Sequence, residues 1–215
     1  MREGRAWFAV DVTAPLGTGL FVDMRMGRQI VAELAAGRRV LNCFSYTGAF
    51  SVVAGLHGAA EVVSVDSAAR AHARARHNLT LNGLVTEQST RFEFVTGDAM
   101  ASLTRWASRK RQFDLVVLDP PTFATAKGRT FTALRDYAEL TASAVSVLAP
   151  GGLLCAASNA AKLSQEDFER AIGRGAVQAQ RTAAVVQRSG QPEDFPVLPA
   201  FGEGRYLKFV TVRVD

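Results

Sequence analysis

The run Val40-Leu41-Asn42-Cys43-Phe44-Ser45-Tyr46-Thr47-Gly48-Ala49-Phe50 constrains this chain more than any other stretch. It begins apolar, breaks at small and polar residues, and restarts apolar with Ala49-Phe50-Ser51-Val52-Val53-Ala54. That pattern reads as a buried strand, a tight turn and the start of a helix. A helix N-terminus at this point aims free N–H groups at whatever lies over the turn. A second apolar run, Val62-Val63-Ser64-Val65, ends on Asp66. An acid at the second strand tip, roughly 20 residues past a glycine turn, is where a doubly wound fold holds a ribose by its hydroxyls.

The same alternation continues. Ala68 to Asn82 is rich in alanine and arginine and reads as a helix closed by Asn82-Gly83. Phe92-Glu93-Phe94-Val95 is a third strand, ending at Gly97-Asp98-Ala99, and an amphipathic helix over Ala101 to Arg111 follows it. Phe113 to Leu118 is a fourth strand running into Asp119-Pro120-Pro121-Thr122-Phe123. A polar segment, Ala124 to Thr130, precedes a long helix from Phe131 to Leu148, which Pro150-Gly151-Gly152 stops. Leu153 to Ala157 is a fifth strand ending at Ser158-Asn159. Ser164 caps the next helix, with Glu166 and Asp167 in its first turn. Ala183 to Val186 and Leu207 to Val212 form a last pair of strands.

Strands alternating with helices specify an α/β fold. The expected architecture is a three-layer, Rossmann-like sandwich around a mostly parallel sheet, with an antiparallel C-terminal strand. At the front, residues 6–12 and Leu20-Phe21-Val22-Asp23 read as a hairpin, so the chain divides into an N-terminal segment, 1–24, and a main unit, 25–215. A hairpin alone is marginally stable, and 1–24 reads as the remnant of an upstream domain.

Ligand residues in such a sheet gather at the strand C-termini. Here those tips carry Asn42 to Gly48, Asp66, Asp98, Asp119 and Ser158-Asn159. An ordinary strand–turn–helix without a ligand would not need an acid at three successive tips. A dinucleotide requires several glycines beneath its pyrophosphate, and this turn has only Gly48. A phosphate-free nucleoside cofactor fits better, and S-adenosylmethionine is the common one. A nicotinamide-dependent oxidoreductase is correspondingly disfavoured.

Composition narrows the setting. The chain has 215 residues, 48% hydrophobic, which suits one α/β domain with a full core. No run of 18 apolar residues and no signal-peptide pattern is present. Cys43 and Cys155 both fall inside apolar runs and read as small core residues, so a reducing cytoplasm is the expected compartment. His57, His72 and His77 have no metal-ligand spacing, and no metal site is assigned. The net charge is +5, and of the 25 basic residues all but Lys110, Lys127, Lys162 and Lys208 are arginines. Arginine pairs bidentately with phosphate and stacks on bases, which allows an RNA partner. A genome that favours arginine codons explains the same count.

Taken together, Asn42 to Phe50, Asp66, Gly97-Asp98-Ala99 and Asp119-Pro120-Pro121-Thr122-Phe123 resemble one family. It is the class I S-adenosylmethionine-dependent methyltransferases of bacterial 23S rRNA, which includes cytosine-C5 and guanine-N7 enzymes. Leu20-Phe21-Val22-Asp23-Met24-Arg25 fits the opening motif of that family. The resemblance implies that Phe44, Ser45, Tyr46, Thr47 and Gly48 surround the methionine part of the cofactor. It implies that Asp66 holds the ribose hydroxyls and that Asp98 with Ala99 faces the adenine. Asp119, Pro120 and Pro121 would face both cofactor and target base as the catalytic segment, and Arg25 or Arg28 would reach the cofactor carboxylate. Family members usually begin with a PUA-type RNA-binding domain, which this sequence lacks.

The chemistry separates the two branches. Cytosine C5 is a poor nucleophile, and enzymes that methylate it first add a cysteine thiolate to C6. In the cytosine members that cysteine follows the fifth strand; here the matching position is Asn159, in Ala157-Ser158-Asn159-Ala160. Guanine N7 already carries a lone pair, and the guanine members have Ser-Asn at this place. The expectation is therefore methyl transfer to an RNA base nitrogen. Cytosine-C5 transfer through another thiol, and an idle cofactor- or RNA-binding module, stand as alternatives. The tail from Pro196 to Lys208 resembles the cytosine members more. Cys155, four residues before Asn159, reads as an inert core cysteine. Phe123 reads equally as a stacking surface for a flipped base and as a plug beneath the loop. Lys127 and Arg129 read equally as phosphate contacts and as solvated loop charges.

Overall fold

A computed structural model describes every residue except 15–16, 85–90 and 127–128. The chain opens with a minimal hairpin, β1 (Arg2–Glu3) and β2 (Ala6–Trp7). It continues as α1 (Arg25–Leu34), β3 (Arg39–Cys43), α2 (Ala49–Leu56), β4 (Glu61–Asp66), α3 (Ala69–Leu81), β5 (Phe92–Thr96), α4 (Ala99–Ser108) and β6 (Phe113–Leu118). A second hairpin, β7 (Phe123–Ala126) and β8 (Arg129–Thr132), leads into α5 (Ala133–Val145). The chain ends with β9 (Leu148–Ser158), α6 (Gln165–Gln178), β10 (Ala183–Ser189) and β11 (Lys208–Val214).

Seven strands form one sheet in the order β10-β11-β9-β6-β3-β4-β5. β5, β4, β3, β6 and β9 run parallel, while β11 inserts antiparallel between β9 and β10. The parallel strands are near-continuous apolar runs because helices cover both faces. One face buries Leu103, Trp106, Tyr137, Leu140, Phe168 and Ile172 from α4, α5 and α6. The opposite face buries Ile30, Val31, Val52, Val53 and Leu79 from α1, α2 and α3. This is the expected three-layer sandwich with its antiparallel C-terminal strand.

The N-terminal hairpin is shorter than residues 6–12 and 20–23 suggest. Strand pairing stops at Trp7, and Val22–Met24 is a single 3-10 turn. The run Leu20-Phe21-Val22 is apolar for packing: Leu20 and Met24 are buried beside α1 and α2, together with Ala6 and Phe8. α5 also ends earlier than predicted, at Val145, and β9 runs through Pro150-Gly151-Gly152 with an irregular register against β6. Gly151 takes a φ of 73°, which lets the strand absorb that irregularity.

β3 pairs with β4 on one side and β6 on the other, so strand order reverses between β3 and β6. That switch point leaves a crevice above the strand C-termini.

Candidate cofactor site

The turn after β3 is held in an uncommon conformation. Phe44 and Tyr46 have φ of 59° and 48°, a region that disfavours side chains with a Cβ. Neighbouring elements fix it. Ser45 N–H donates to the Val65 carbonyl at 2.9 Å, and Gly48 N–H donates to the Ser45 carbonyl at 2.8 Å. Tyr46 N–H donates to Asp66 Oδ2 at 2.8 Å. The Thr47 hydroxyl donates to the Gly19 carbonyl at 2.6 Å, and Asn78 Nδ2 donates to the Thr47 carbonyl at 2.9 Å. Gly48 is the N-cap of α2 with a φ of 74°, and a Cβ there would lie 2.8 Å from Ala75 Cβ.

These elements enclose a cavity of about 560 Å³. Ten of the sequence-predicted positions line it together: Phe44, Ser45, Tyr46, Thr47, Asp66, Asp98, Ala99, Asp119, Pro120 and Pro121. Gly48 lies beneath the turn and not on the lining. Leu20, Phe21, Asp23, Thr122, Asn159 and Leu207 complete the wall. Asp23 sits in a 3-10 turn, away from any strand tip, and Leu207 arrives from 159 residues past Gly48 in sequence. Asp23 lies within the family-like opening motif, but no strand-tip pattern marked it as a wall residue.

The acids differ in how they are compensated. Asp66 accepts from Tyr46 N–H through Oδ2 and from Ala68 N–H at 2.9 Å through Oδ1. Asp98 caps α4, its Oδ1 accepting from Ala101 N–H at 2.8 Å. Asp119 makes no side-chain hydrogen bond among the described residues. Burial pushes its carboxyl up to about 7; the Asp23 charge adds to that rise and Arg28 opposes it. Asp119 retains some exposure to the cavity, yet protein atoms ring it closely enough for desolvation to dominate.

Arg28 is committed elsewhere. Its Nε and Nη2 donate to the two Glu3 carboxylate oxygens at 2.7 and 2.6 Å, and its Nη1 donates to the Phe21 carbonyl at 2.8 Å. It lines the cavity, but its side chain is only 2% exposed. Arg25 pairs with Asp194.

Pro120 and Pro121 follow Asp119 with φ fixed by their rings, a stiff shelf on one side of the cavity. Tyr137, fully buried, donates its hydroxyl to the Ala157 carbonyl at 2.9 Å and thereby reaches the end of β9 from α5. Just past that end, the Thr122 hydroxyl donates to Asn159 Oδ1. Both cysteines lie away from the cavity. Burial pushes the Cys43 and Cys155 thiols up to about 12, and Cys155 Sγ faces Thr211 Oγ1 at 3.7 Å. Lys127 lies outside the described residues; Phe123 and Arg129 are placed only as backbone of β7 and β8.

The lining suits a nucleoside with a charged tail. Asp66 and Asp98 offer acceptors for hydroxyl and amine donors, the turn is too poor in glycine for a diphosphate, and an unpaired carboxylate waits beyond it. No cluster of three or more histidine, cysteine or acidic residues capable of holding a metal occurs among the described residues. None of their helices is long and apolar enough to cross a membrane.

Fold and site together define a Rossmann-like, nucleoside-cofactor methyltransferase domain. The chain belongs to the S-adenosylmethionine-dependent methyltransferases: a family model of that description matches residues 2–209. It is 39% identical over 211 residues to ribosomal RNA large subunit methyltransferase I of Aeromonas hydrophila, covering 98% of this chain and 52% of that protein. The Aeromonas salmonicida protein of the same name is 38% identical, with 99% of this chain and 53% of that protein covered. The chain thus spans about half the length of these relatives. Among solved structures, SMU.776 complexed with S-adenosylhomocysteine superposes with a TM-score of 0.88 at 28% identity, covering 99% of this chain and 57% of that one.

Proposed function

We propose that this chain carries the methyl-transfer unit of an enzyme acting on a base of RNA, in 23S rRNA, and that the accepting atom is a nitrogen such as guanine N7. One observation carries the choice of atom. The wall past the β9 tip presents Asn159 and Thr122, while both thiols of the chain are buried away from the cavity. The relatives named as ribosomal RNA large subunit methyltransferases support the substrate class, and the net charge of +5 suits a polyanion.

S-adenosylmethionine, when bound, supplies an activated methyl group on a sulfonium. In this reading the residues of the chain orient the reactants and keep water out. Asp66 accepts from the ribose hydroxyls, and Asp98 with Ala99 meets the adenine edge. The turn from Phe44 to Gly48 packs around the amino-acid portion. Asp119-Pro120-Pro121 gives the base a stiff edge to lie against. Asn159, with its acceptor oxygen engaged by Thr122, leaves its amide N–H groups to hydrogen-bond the base. A ring nitrogen with an available lone pair needs no covalent activation, which fits a cavity wall without a thiol.

The test is transfer from labelled S-adenosylmethionine to RNA from cells lacking this protein, followed by digestion to nucleosides. Label in 7-methylguanosine, or another N-methylated nucleoside, is expected. Label in 5-methylcytidine would overturn the choice of a nitrogen.

A further inference from the structure

Asn159 is exposed, yet the backbone on either side of it is pinned. Before it, Ser158 is buried at the end of β9 and pairs in register with Lys208 of β11. After it, Ala160 N–H donates to Ser158 Oγ at 3.3 Å. The Ala160 carbonyl accepts twice, from Leu163 N–H at 3.0 Å and from Lys208 Nζ at 2.9 Å. The same ammonium donates to the Tyr206 carbonyl at 2.7 Å. Leu207, between Tyr206 and Lys208, stands on the cavity wall, as Asn159 does. One buried nitrogen thus joins the backbone beside one wall residue to the backbone beside another. Tyr206 carries the connection further, its hydroxyl donating at 2.8 Å to Oδ2 of Asp23, a third residue of the wall.

Lysine is an unfavourable residue for such a position. Lys208 is only 5% exposed, and among the described residues its ammonium has two carbonyl partners and no carboxylate. A charge taken from water without a counter-charge is destabilising, and two carbonyl dipoles offset only part of that. A methionine would fill the same space without a charge to desolvate. What the ammonium adds is direction. Both carbonyls must face it, and a charge-assisted bond holds the β9 tip where an apolar side chain would leave it free to turn. We propose that Lys208 is a positioning residue for the transfer: its ammonium fixes the Asn159–Ala160 backbone so that the Asn159 amide meets the substrate base in one orientation. This rests on the reading of Asn159 as a contact to the base, and adds the group that holds it there.

A double-mutant cycle between Lys208→Met and Asn159→Ala tests this. Each variant is read as kcat/KM for RNA from cells lacking this protein, with S-adenosylhomocysteine affinity measured beside it. Lys208→Met is expected to lower kcat/KM about 5- to 50-fold and to leave S-adenosylhomocysteine affinity within about threefold. Added to Asn159→Ala, it should lower kcat/KM by less than about a further twofold, because the amide it positions is already gone. Losses that multiply in full overturn the proposal and leave the reading of Asn159 intact, since Lys208 would then act independently of it. Equal losses of kcat/KM and S-adenosylhomocysteine affinity in Lys208→Met also overturn it, because the lysine would then serve the fold alone. Asn159→Ala without effect overturns the base-contact reading together with it. If Lys208→Met does not fold, Lys208→Gln, which keeps two donors without the charge, enters the same cycle and is judged by the same outcomes.

Discussion

Asp66 Oδ2 accepts the backbone N–H of Tyr46 at 2.8 Å, so the tip of one strand fixes the turn that follows its neighbour. The bond matters because Tyr46 sits at a φ of 48°, where an L-residue stays only if its surroundings hold it. The same carboxylate faces the cavity and is the proposed ribose acceptor. Asp66→Ala should therefore fail twice. Stability should fall by about 1–3 kcal/mol, for the lost charged hydrogen bond and the released turn. S-adenosylhomocysteine affinity should fall by more than about tenfold. Thermal unfolding and calorimetric titration separate the two effects. A lower melting temperature with unchanged affinity would reduce Asp66 to a fastener of the turn.

Asp119 predicts a pH dependence with a definite sign. Its carboxyl titrates near 7 because burial disfavours the charged form; Asp23 adds to this and Arg28 opposes it, while Tyr137 packs nearby as a neutral phenol. A ligand whose ammonium group lies beside this carboxylate favours the ionised form, so its binding below about pH 7 must expel a proton. S-adenosylhomocysteine affinity should rise with pH, by up to about tenfold per unit, and level off above about 7. Stability of the free protein follows the opposite course. Between the unfolded value near 4 and about 7 the native state binds more protons, so this group's contribution becomes less favourable as pH rises. Asp119→Asn should remove the rise in affinity and stabilise the free protein at about pH 8. A flat affinity profile in the wild-type chain would contradict both.

Gly48 is not on the cavity wall, yet the site depends on it. A Cβ there would lie 2.8 Å from Ala75 Cβ and would have to tolerate a φ of 74°. Gly48→Ala should cost about 1–3 kcal/mol, through strain and the displacement of α2 from α3. It should also weaken cofactor binding, because Thr47, next in the chain, anchors the turn to Gly19 and Asn78. Urea unfolding and S-adenosylhomocysteine titration on the same variant check this. Unchanged binding in a destabilised variant would show that the turn survives without its glycine.

The sheet was legible because each parallel strand is a mostly apolar run with a polar end, and each helix between them has its own stop or cap. That regularity placed Asp66, Asp98 and Asp119 on one edge before any contact was known. Two parts were less legible. Leu20-Phe21-Val22 has the length and composition of a strand, and periodicity cannot distinguish that from three residues packed one by one around a 3-10 turn. Asp23 therefore did not register as a wall residue. Tyr206 and Leu207 reach the site only because β11 inserts antiparallel beside β9, a pairing between Lys208 and Ser158 that no local pattern encodes. The commitment of Arg28 to Glu3 was equally hidden, since it depends on how the N-terminal segment folds back.

Asn159 and Cys155 make opposite predictions, and together they decide between the two chemistries. Cys155 lies inside β9, paired in register with Thr211, and burial holds its thiol near 12, where the thiolate needed for attack on a base is scarce. Cys155→Ser keeps the size and can hydrogen-bond Thr211. It should leave the methylation rate within about twofold and the labelled nucleoside unchanged, since a substitution remote from the reacting atoms does not alter transition-state binding. Asn159 stands on the cavity wall with its Oδ1 already engaged by Thr122. Asn159→Ala removes the amide donors that the proposed function turns toward the base. It should lower kcat/KM for RNA by about 10- to 100-fold, the loss of one or two well-placed hydrogen bonds, while S-adenosylhomocysteine affinity stays within about twofold. The converse result, with Cys155→Ser inactive and Asn159→Ala near normal, would mean that β9 rearranges to present its thiol, and the transfer would then have to be read as carbon methylation through a covalent adduct.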